Sequence, residues 1–246
     1  QIRGADKMKQ LTVMLKPASS LCNLRCSYCF YDDISSLREV SSFGIMTESV
    51  ARTVLDHILT ELEAGDRLTL SFQGGEPTLA GLDFYRNLTE YIKQKKTEVQ
   101  IFYTIQTNGL LLNEEWCEFL TENHVLIGIS CDILSQAHDH ARTDEKKNGT
   151  YRRVVETIRR LTRYRVEYNV LCTLTRQIAR HPKQVWNEIK KLGIEYVQFT
   201  PCLRDLTCSK TEAFALTPER FASFYQELFD LWYKELCDGQ YRSVKL

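Results

Sequence analysis

Short strand-like runs that alternate with helix-period segments constrain the fold of this chain most. Six such runs are rich in β-branched or aromatic residues and occupy residues 11–16, 68–72, 99–105, 125–130, 166–173 and 195–200. Apolar residues at helical spacing fill the intervals between them. Strands joined by helical crossovers run parallel, so the pattern predicts an α/β fold: an open, partial (β/α)6 TIM-like barrel rather than a closed barrel of eight units.

Capping residues define several helices and divide the chain. Thr47 and Asn113 precede apolar stripes as N-caps, and Thr217 with Pro218 begins a helix that is too apolar to be fully solvated. We therefore expect a barrel over residues 8–209 and a C-terminal helical extension over 210–246. Residues 1–7 precede Met8 and are interpreted as an added leader.

The overall charge argues against two classes of partner. Thirty-two basic residues balance thirty-two acidic residues, and the sequence contains no long block of one sign. A nucleic acid or an anionic membrane surface is therefore not the expected partner. Neither a bilayer-length apolar run nor a signal peptide is apparent, which favours a cytoplasmic location.

Cysteines provide the sharpest chemical signal. Three of the nine fall within eight residues after the first strand-like run, at Cys22, Cys26 and Cys29, and the other six are scattered. Thiolates in one loop select zinc or iron–sulfur clusters. No fourth cysteine or histidine lies nearby, so the triad favours a [4Fe-4S] cluster with one open iron. A zinc site completed by a distant ligand and a chance group of buried thiols remain as alternatives.

A second motif follows the second strand. Gly74 and Gly75 would let the backbone approach a ligand closely, and the carboxylate of Glu76 can accept a hydrogen bond from an ammonium group. By itself such a sequence is more often an ordinary turn at the end of a strand. Further along, His138 and His140 lie two residues apart and are interpreted as part of a solvated polar loop rather than a metal pair.

These motifs together resemble a known family. The Cys-x3-Cys-x2-Cys spacing, with Tyr28 before the last cysteine, resembles radical S-adenosylmethionine (SAM) enzymes, as does the Gly-Gly-Glu-Pro motif at residues 74–77. From about Met8 to the end, the chain is similar to anaerobic sulfatase-maturating enzymes. The segments that carry this second likeness are residues 16–22, 29–31, 44–46, 72–79, 106–109 and 228–233.

The resemblance implies a role for individual residues. Cys22, Cys26 and Cys29 would bind the cluster, and Gly74, Gly75 and Glu76 would bind the methionyl end of SAM. Ser130 would contact the ribose, Arg142 the SAM carboxylate, and Leu203 the adenine together with the backbone near Tyr28. Tyr31 and Gln73 would face the reaction centre. The residues themselves leave structural alternatives: Ser130 as a strand end, Arg142 as a surface charge and Leu203 as core.

The resemblance also implies an activity. Such enzymes are radical SAM oxidoreductases that convert a cysteine or serine of a sulfatase peptide to Cα-formylglycine. A reduced [4Fe-4S] cluster cleaves SAM, and the resulting 5′-deoxyadenosyl radical takes hydrogen from the Cβ of the target residue. The expected partners are a sulfatase-like peptide or protein and an electron donor such as flavodoxin or ferredoxin.

The sequence departs from the family pattern in two places. The catalytic aspartate and the cysteine-rich domain with two auxiliary [4Fe-4S] clusters would follow residue 246, so we expect auxiliary clusters only in a longer chain and weak or absent aldehyde formation by this one. In addition, Ile133 and Leu134 follow Asp132, where the family usually has glycine and proline. That difference predicts an altered loop beside Ser130.

Two other functions remain compatible with the sequence. A radical SAM peptide maturase that forms thioether or other crosslinks would share the cluster and differ in its product. A non-catalytic metal-binding scaffold would hold zinc and cleave no SAM. Anaerobic reconstitution separates the scaffold from the enzymes, and the peptide product separates the two enzymes.

Overall fold

The computed structural model describes residues 8–95, 97–204 and 213–245. Within these ranges, seven strands form one sheet in the order β1 to β7, and every neighbouring pair is parallel. The strands are β1 Gln10–Leu15, β2 Arg67–Phe72, β3 Gln100–Thr107, β4 Val125–Ser130, β5 Tyr168–Leu174, β6 Tyr196–Pro201 and β7 Ser243–Lys245. The open, parallel α/β fold predicted from the sequence is therefore confirmed.

Helices occupy the intervals between strands. They are α1 Phe30–Ser36, α2 Glu48–Thr60, α3 Leu82–Gln94, α4 Glu114–Glu122, α5 Ser135–Ala141, α6 Tyr151–Arg163, α7 Pro182–Lys191 and α8 Pro218–Cys237, with short 3₁₀ turns at Pro77–Ala80 and Ile178–Arg180. The side chains of Thr47, Asn113 and Thr217 accept hydrogen bonds from the first turns of α2, α4 and α8. These three predicted N-caps are confirmed.

The two faces of the sheet have different environments. Alternate residues such as Leu70, Ile127 and Val170 are fully buried on the face that the helices cover. The register places Met14, Phe102, Leu126 and Tyr196 on the other face, where each is more than a third exposed. We call this second face the open face. Because its carboxyl-terminal end also carries polar side chains, it is the surface on which ligand chemistry is expected.

The C-terminal extension adds more than a helix. Helix α8 packs against α7 and buries Phe224 and Leu228, and β7 then pairs with β6, which extends the sheet by a strand that the sequence did not predict. Phe229 and Tyr233 of α8 remain about half exposed. The predicted leader (1–7) and the predicted boundary between residues 209 and 210 lie outside the described residues.

Two structural findings complete the description. Cys117, Cys131, Cys172 and Cys202 are buried free thiols, as the positions of Cys117 and Cys172 within a helix and a strand predict, whereas Cys237 is exposed. Within the described ranges, no helix combines the length and the apolar content that a bilayer span requires.

Candidate active site

The loop between β1 and α1, residues 16–29, carries the three clustered cysteines; we call it the cysteine loop. Backbone hydrogen bonds dock it onto the segment after α5: Arg25 N donates to Thr143 O at 2.8 Å and Ser27 N to Ala141 O at 2.9 Å. Leu24 forms a bridge with Asp144. The cysteines are thus held between the end of β1 and the segment that contains Arg142.

The three thiols of the cysteine loop are free and partly exposed. Burial raises the pKa of Cys22 to about 11 and that of Cys26 to about 12. At neutral pH these thiols therefore lose their protons only when they bind a metal cation. Cys22 Sγ faces two N–H donors, Leu24 N at 3.4 Å and Asn108 Nδ2 at 3.9 Å. The three thiols are therefore suitable ligands for an iron–sulfur cluster, whose thiolates commonly accept hydrogen bonds from N–H groups.

The described residues contain no preformed site for a single metal ion. Among the described histidine, cysteine, aspartate and glutamate side chains, no three converge as a one-ion site requires. The zinc alternative therefore has no preformed site in the described part of the chain.

Gly74 and Gly75 lie directly beneath the cysteine loop. Gly75 N donates to Ser19 O at 3.0 Å and Glu76 N to Leu21 O at 2.7 Å. A Cβ on Gly74, whose φ is +122°, would lie 2.7 Å from Ser19 O, and a Cβ on Gly75 would collide with Leu21 O. Both glycines are therefore needed for close approach of the backbone to the cysteine loop, and the close approach to a ligand stays a prediction.

The carboxylate of Glu76 is buried and bonded to protein donors. Its Oε1 accepts from Thr78 N (3.0 Å), Thr78 Oγ1 (2.6 Å) and Thr107 Oγ1 (2.7 Å), and its Oε2 accepts from Asn108 N (2.7 Å). Burial raises the pKa of this carboxyl despite these bonds. The sequence suggested that the Glu76 carboxylate would bind an ammonium group. In the structure, this carboxylate instead accepts hydrogen bonds from protein groups, including two at the end of β3.

A second buried carboxylate, Asp132, follows β4. Its Oδ2 accepts from Arg142 Nε at 3.1 Å and from the Tyr28 hydroxyl, and its Oδ1 accepts from Thr173 N at 3.1 Å. The Arg142 guanidinium lies 5.3 Å from the centre of the Tyr28 ring. Arg142 is therefore buried rather than a surface charge. Burial acts to lower its pKa, but Asp132 and Tyr28 outweigh this and hold the pKa above its ordinary value.

His138 is hydrogen-bonded to the segments on either side of the Asp132–Arg142 pair. Its Nδ1 accepts from Asp132 N at 3.2 Å, and its Nε2 lies 3.1 Å from Thr150 Oγ1, which itself donates to Arg142 O. These partners require a neutral imidazole with the proton on Nε2. Burial lowers the pKa of His138 to about 4. The interpretation of His138 as a solvated loop residue was wrong, because α5 turns this side chain into the core.

Of the remaining predicted residues, Ser130 ends β4, Gln73 and Leu203 follow β2 and β6, and Tyr31 lies in the first turn of α1. Ser130 Oγ accepts from Gln106 Nε2 at 3.0 Å, and the Tyr31 hydroxyl lies 3.5 Å from Gln73 Oε1. Lys16 Nζ lies 5.1 Å from the centre of the Tyr31 ring. Leu203 follows β6 and is 73% exposed, which excludes the core alternative. The structure thus brings Tyr31 and Gln73 together and leaves Leu203 free to meet a ligand.

Several residues of the site were given no role from the sequence, although Asn108 lies in the segment 106–109 that carries the family resemblance. Asn108, Thr150 and Thr173 act through bonds to residues distant along the chain. Ile133 does correspond to a visible departure from the family pattern: it is buried with φ +63°, a conformation that favours glycine and strains a β-branched residue. The backbone after Asp132 thus adopts a conformation that glycine favours although the residue there is isoleucine, and the altered loop beside Ser130 stays a prediction.

A cavity of about 660 Å³ lies at the other end of the sheet. Its lining includes Leu126, Asn169 and Tyr196, which lie at or near the amino ends of β4, β5 and β6. The predicted site residues lie at the carboxyl ends of the strands or in the segments that follow those ends. The cavity is therefore separate from the candidate active site.

Comparison with known proteins identifies proteins that are similar in sequence to this chain. The chain is 41% identical to the cysteine-type anaerobic sulfatase-maturating enzyme of Clostridium novyi over 240 residues, which are 97% of this chain and 64% of that protein. It is 30% identical to the serine-type anaerobic sulfatase-maturating enzyme of Bacteroides thetaiotaomicron, over 92% of this chain and 58% of that protein. The chain thus spans less than two thirds of the length of these relatives.

Solved structures give the same picture of the fold. The structure of native anSMEcpe with bound AdoMet and Kp18Cys peptide superposes with a TM-score of 0.86 at 36% identity, covering 96% of this chain and 63% of that one. Streptococcus suis SuiB bound to S-adenosylmethionine shares the fold at a TM-score of 0.68 and 15% identity, over 96% of this chain and 50% of that one. A profile described as Radical SAM superfamily matches residues 17–192. Because this match covers most of the chain and includes the cysteine loop, the chain belongs to the radical SAM superfamily.

Proposed function

We propose that this chain is the SAM-cleaving barrel of an anaerobic sulfatase-maturating enzyme, which oxidises a peptidyl cysteine or serine to Cα-formylglycine. The observation that carries the proposal is the 41% identity to a cysteine-type enzyme across 97% of this chain. Identity to the serine-type relatives is 30% or lower, which favours cysteine as the residue oxidised.

The proposed cofactors are a [4Fe-4S] cluster on Cys22, Cys26 and Cys29 and a SAM molecule on its open iron. The three thiols share one loop, and N–H groups already face Cys22 Sγ. When bound, these groups supply one-electron cleavage of SAM and a radical able to take hydrogen from a Cβ.

Residues around the cluster would hold SAM by complementary chemistry. The backbone at Gly74 and Gly75 would meet the methionyl end, with Glu76 bracing it from beneath. Arg142 uses two of its N–H donors on Asp132 and Thr173, and another would meet the SAM carboxylate. The Ser130 hydroxyl would contact the ribose. Leu203 would cover the adenine beside the backbone of Tyr28.

Tyr31 and Gln73 would position the peptide. Gln73 directly follows β2 and the Tyr31 hydroxyl lies beside it, and the Gln73 amide can donate to or accept from a peptide backbone. Oxidation of a cysteine side chain to the aldehyde releases two electrons and two protons, with sulfide leaving and the oxygen of water entering. The proposed partners are therefore a sulfatase-like peptide, a one-electron donor such as flavodoxin or ferredoxin, and an electron acceptor beyond this barrel, for which auxiliary clusters in a longer chain would serve.

Hydrogen transfer from a labelled peptide tests the proposal without requiring complete turnover. We expect the anaerobically reconstituted chain to bind about four irons, as one [4Fe-4S] cluster requires. With SAM, a reductant and a sulfatase-motif peptide carrying cysteine deuterated at Cβ, deuterium should appear in 5′-deoxyadenosine. The same peptide with alanine at that position is the control.

Variants and products distinguish the alternatives. Gln73→Ala should retain SAM cleavage but lose most of the peptide-derived deuterium, and the triple Cys22→Ala, Cys26→Ala, Cys29→Ala variant should lose iron and SAM cleavage together. A crosslinked peptide would identify a different peptide maturase. Bound zinc without 5′-deoxyadenosine would identify a non-catalytic scaffold and end the proposal.

A further inference from the structure

We propose that Asn108 is a positioning residue that hydrogen-bonds the Cys22 sulfur, and that through this bond it sets the stability and the reduction potential of the cluster. The inference rests on the proposed function in one respect, namely that Cys22 is a cluster ligand. Asn108 is almost fully buried in the turn after β3 and lies 86 residues from Cys22 along the chain.

The bonds of Asn108 leave its amide group only one orientation. Its backbone N donates to Glu76 Oε2 at 2.7 Å, and its Oδ1 accepts from Leu110 N at 3.0 Å. The oxygen therefore faces a donor, and the NH₂ group must point the other way, toward the cysteine loop. There Nδ2 lies 2.8 Å from Asn23 Oδ1 and 3.9 Å from Cys22 Sγ. An amide has two N–H donors, which match these two acceptors.

Glu76 keeps this orientation in place. Its carboxylate binds both Asn108 N and the hydroxyl of Thr107, and Thr107 Oγ1 accepts in turn from Gly109 N. The turn after β3 is therefore fixed at three consecutive residues. Glu76 N also donates to Leu21 O, next to Cys22. The backbone of the Gly-Gly-Glu motif thus holds the cysteine loop. The side chain of Glu76 orients Asn108 toward the same loop.

A donor at this position has a defined electrostatic effect. An N–H group that points at a thiolate stabilises negative charge on the sulfur. A reduced cluster carries one electron more than an oxidised one, so it gains more from the bond, and the bond raises the reduction potential. Loss of the donor should lower the potential and weaken retention of the cluster.

Two substitutions test the bond. Asn108→Asp keeps the shape but replaces the NH₂ group with an anionic oxygen, and Asn108→Ala removes the donor without adding charge. On the reconstituted chain, an EPR-monitored redox titration should give a more negative cluster potential for both, with the larger shift for Asn108→Asp. Iron loss to a chelator should be roughly 10-fold faster, the lower end of the range for removing a group behind a metal ligand.

Matched controls separate this role from general damage. Asn113→Asp makes the same chemical change at the N-cap of α4, where only the oxygen is used, and should leave both readouts at the wild-type value. Asn23→Ala removes the other acceptor of Asn108 and should also leave the potential unchanged. If Asn23→Ala shifts the potential as much as Asn108→Ala does, the effect is on loop placement, and the proposed sulfur bond is wrong.

The outcomes also separate this inference from the proposed function. A wild-type chain with a normal cluster and normal deuterium transfer, alongside Asn108 variants of unchanged potential and iron retention, would overturn the role of Asn108 alone. A wild-type chain that takes up no cluster would overturn both. Should Asn108→Asp fail to fold by circular dichroism, the Asn108→Ala result decides.

Discussion

Glu76 and Asp132 are both buried carboxylates at the carboxyl end of a strand, and their surroundings differ. All four described donors to Glu76 are neutral N–H and O–H groups, from the segment after β2, the last residue of β3 and the residue that follows it. Asp132 faces a guanidinium, a phenol and a backbone N–H drawn from three distant segments. The Glu76 group therefore joins β2 and β3 to the cysteine loop, whereas the Asp132 group joins β4 and β5 to it through Tyr28.

The difference predicts different energetic roles. Neutral donors leave the charge of Glu76 uncompensated, which is why burial raises its pKa. Asp132 and Arg142 compensate each other's charge, and removal of one partner leaves the other buried without a countercharge. We therefore expect substitutions around Asp132 to destabilise the fold more than substitutions around Glu76.

The largest effect is expected when the ion pair is broken. Arg142→Met leaves Asp132 buried without its countercharge and should lower the free energy of unfolding by about 3–5 kcal/mol. Urea titration followed by circular dichroism measures this. The double variant Asp132→Asn, Arg142→Met removes both charges and should recover part of the loss. A double variant no more stable than the single one would contradict the ion-pair explanation.

Protonation of His138 should be the next largest effect. Its folded pKa of about 4 lies below the ordinary 6.5, so the neutral form stabilises the fold fully above pH 6.5 and the benefit is lost as pH falls toward 4. This difference between the folded and the ordinary pKa of His138 corresponds to about 3 kcal/mol of stability. Between pH 7 and pH 4 the stability advantage of wild type over His138→Gln should shrink by that amount. An advantage that stays constant would contradict the buried neutral imidazole.

Glu76→Gln should cost less than Arg142→Met. The amide cannot accept at both of its terminal atoms, so one buried donor loses its partner, at about 1–3 kcal/mol. The folded pKa of Glu76 is raised, so wild type is favoured below the ordinary pKa of 4.5 and loses that advantage as pH rises through the folded value. The gap between wild type and Glu76→Gln in urea titrations should therefore narrow from pH 4 to pH 7. A widening gap would mean that the ionised carboxylate is the favoured form.

The smallest effect is expected at the surface end of the cysteine loop. Arg25 Nη2 pairs with Glu145 at 2.7 Å, and both side chains are more than half exposed. Glu145→Gln should change the free energy of unfolding by less than about 1 kcal/mol, as is usual for exposed ion pairs. A loss as large as that of Arg142→Met would show that the surface contact, and not the buried network, holds the loop.

Local patterns in the sequence predicted most of the framework. The six strands and the caps at Thr47, Asn113 and Thr217 depend on neighbouring residues, so they are visible without the fold. Helices α1 and α5 have seven residues each and β7 has three, which is too short for a clear periodic signal. The strand predicted from residue 166 begins instead at Tyr168, after a turn in which Arg165 has a positive φ.

The candidate site was predictable only in part. The cysteine triad and the Gly-Gly-Glu motif are contiguous and carry a spacing that can be read directly. The network around Asp132 joins residues 41 and 104 positions apart, and the pairing of Asn108 with Cys22 spans 86. Long-range pairs of this kind leave no pattern in the local sequence. His138 was misread as solvated for another reason: it lies in the seven-residue helix α5, which is too short for a clear periodic signal and which turns this side chain into the core.

The sequence by itself determined the parallel α/β architecture and the placement of three thiols after the first strand, because periodicity, capping and cysteine spacing are local properties. Only the tertiary structure decided that Gly74 and Gly75 make room for the cysteine loop, that Glu76 is bonded to protein donors, and that Asn108 faces Cys22. These outcomes depend on which strand ends meet at one edge of the sheet. Packing sets that arrangement across the whole chain, and no single segment encodes it.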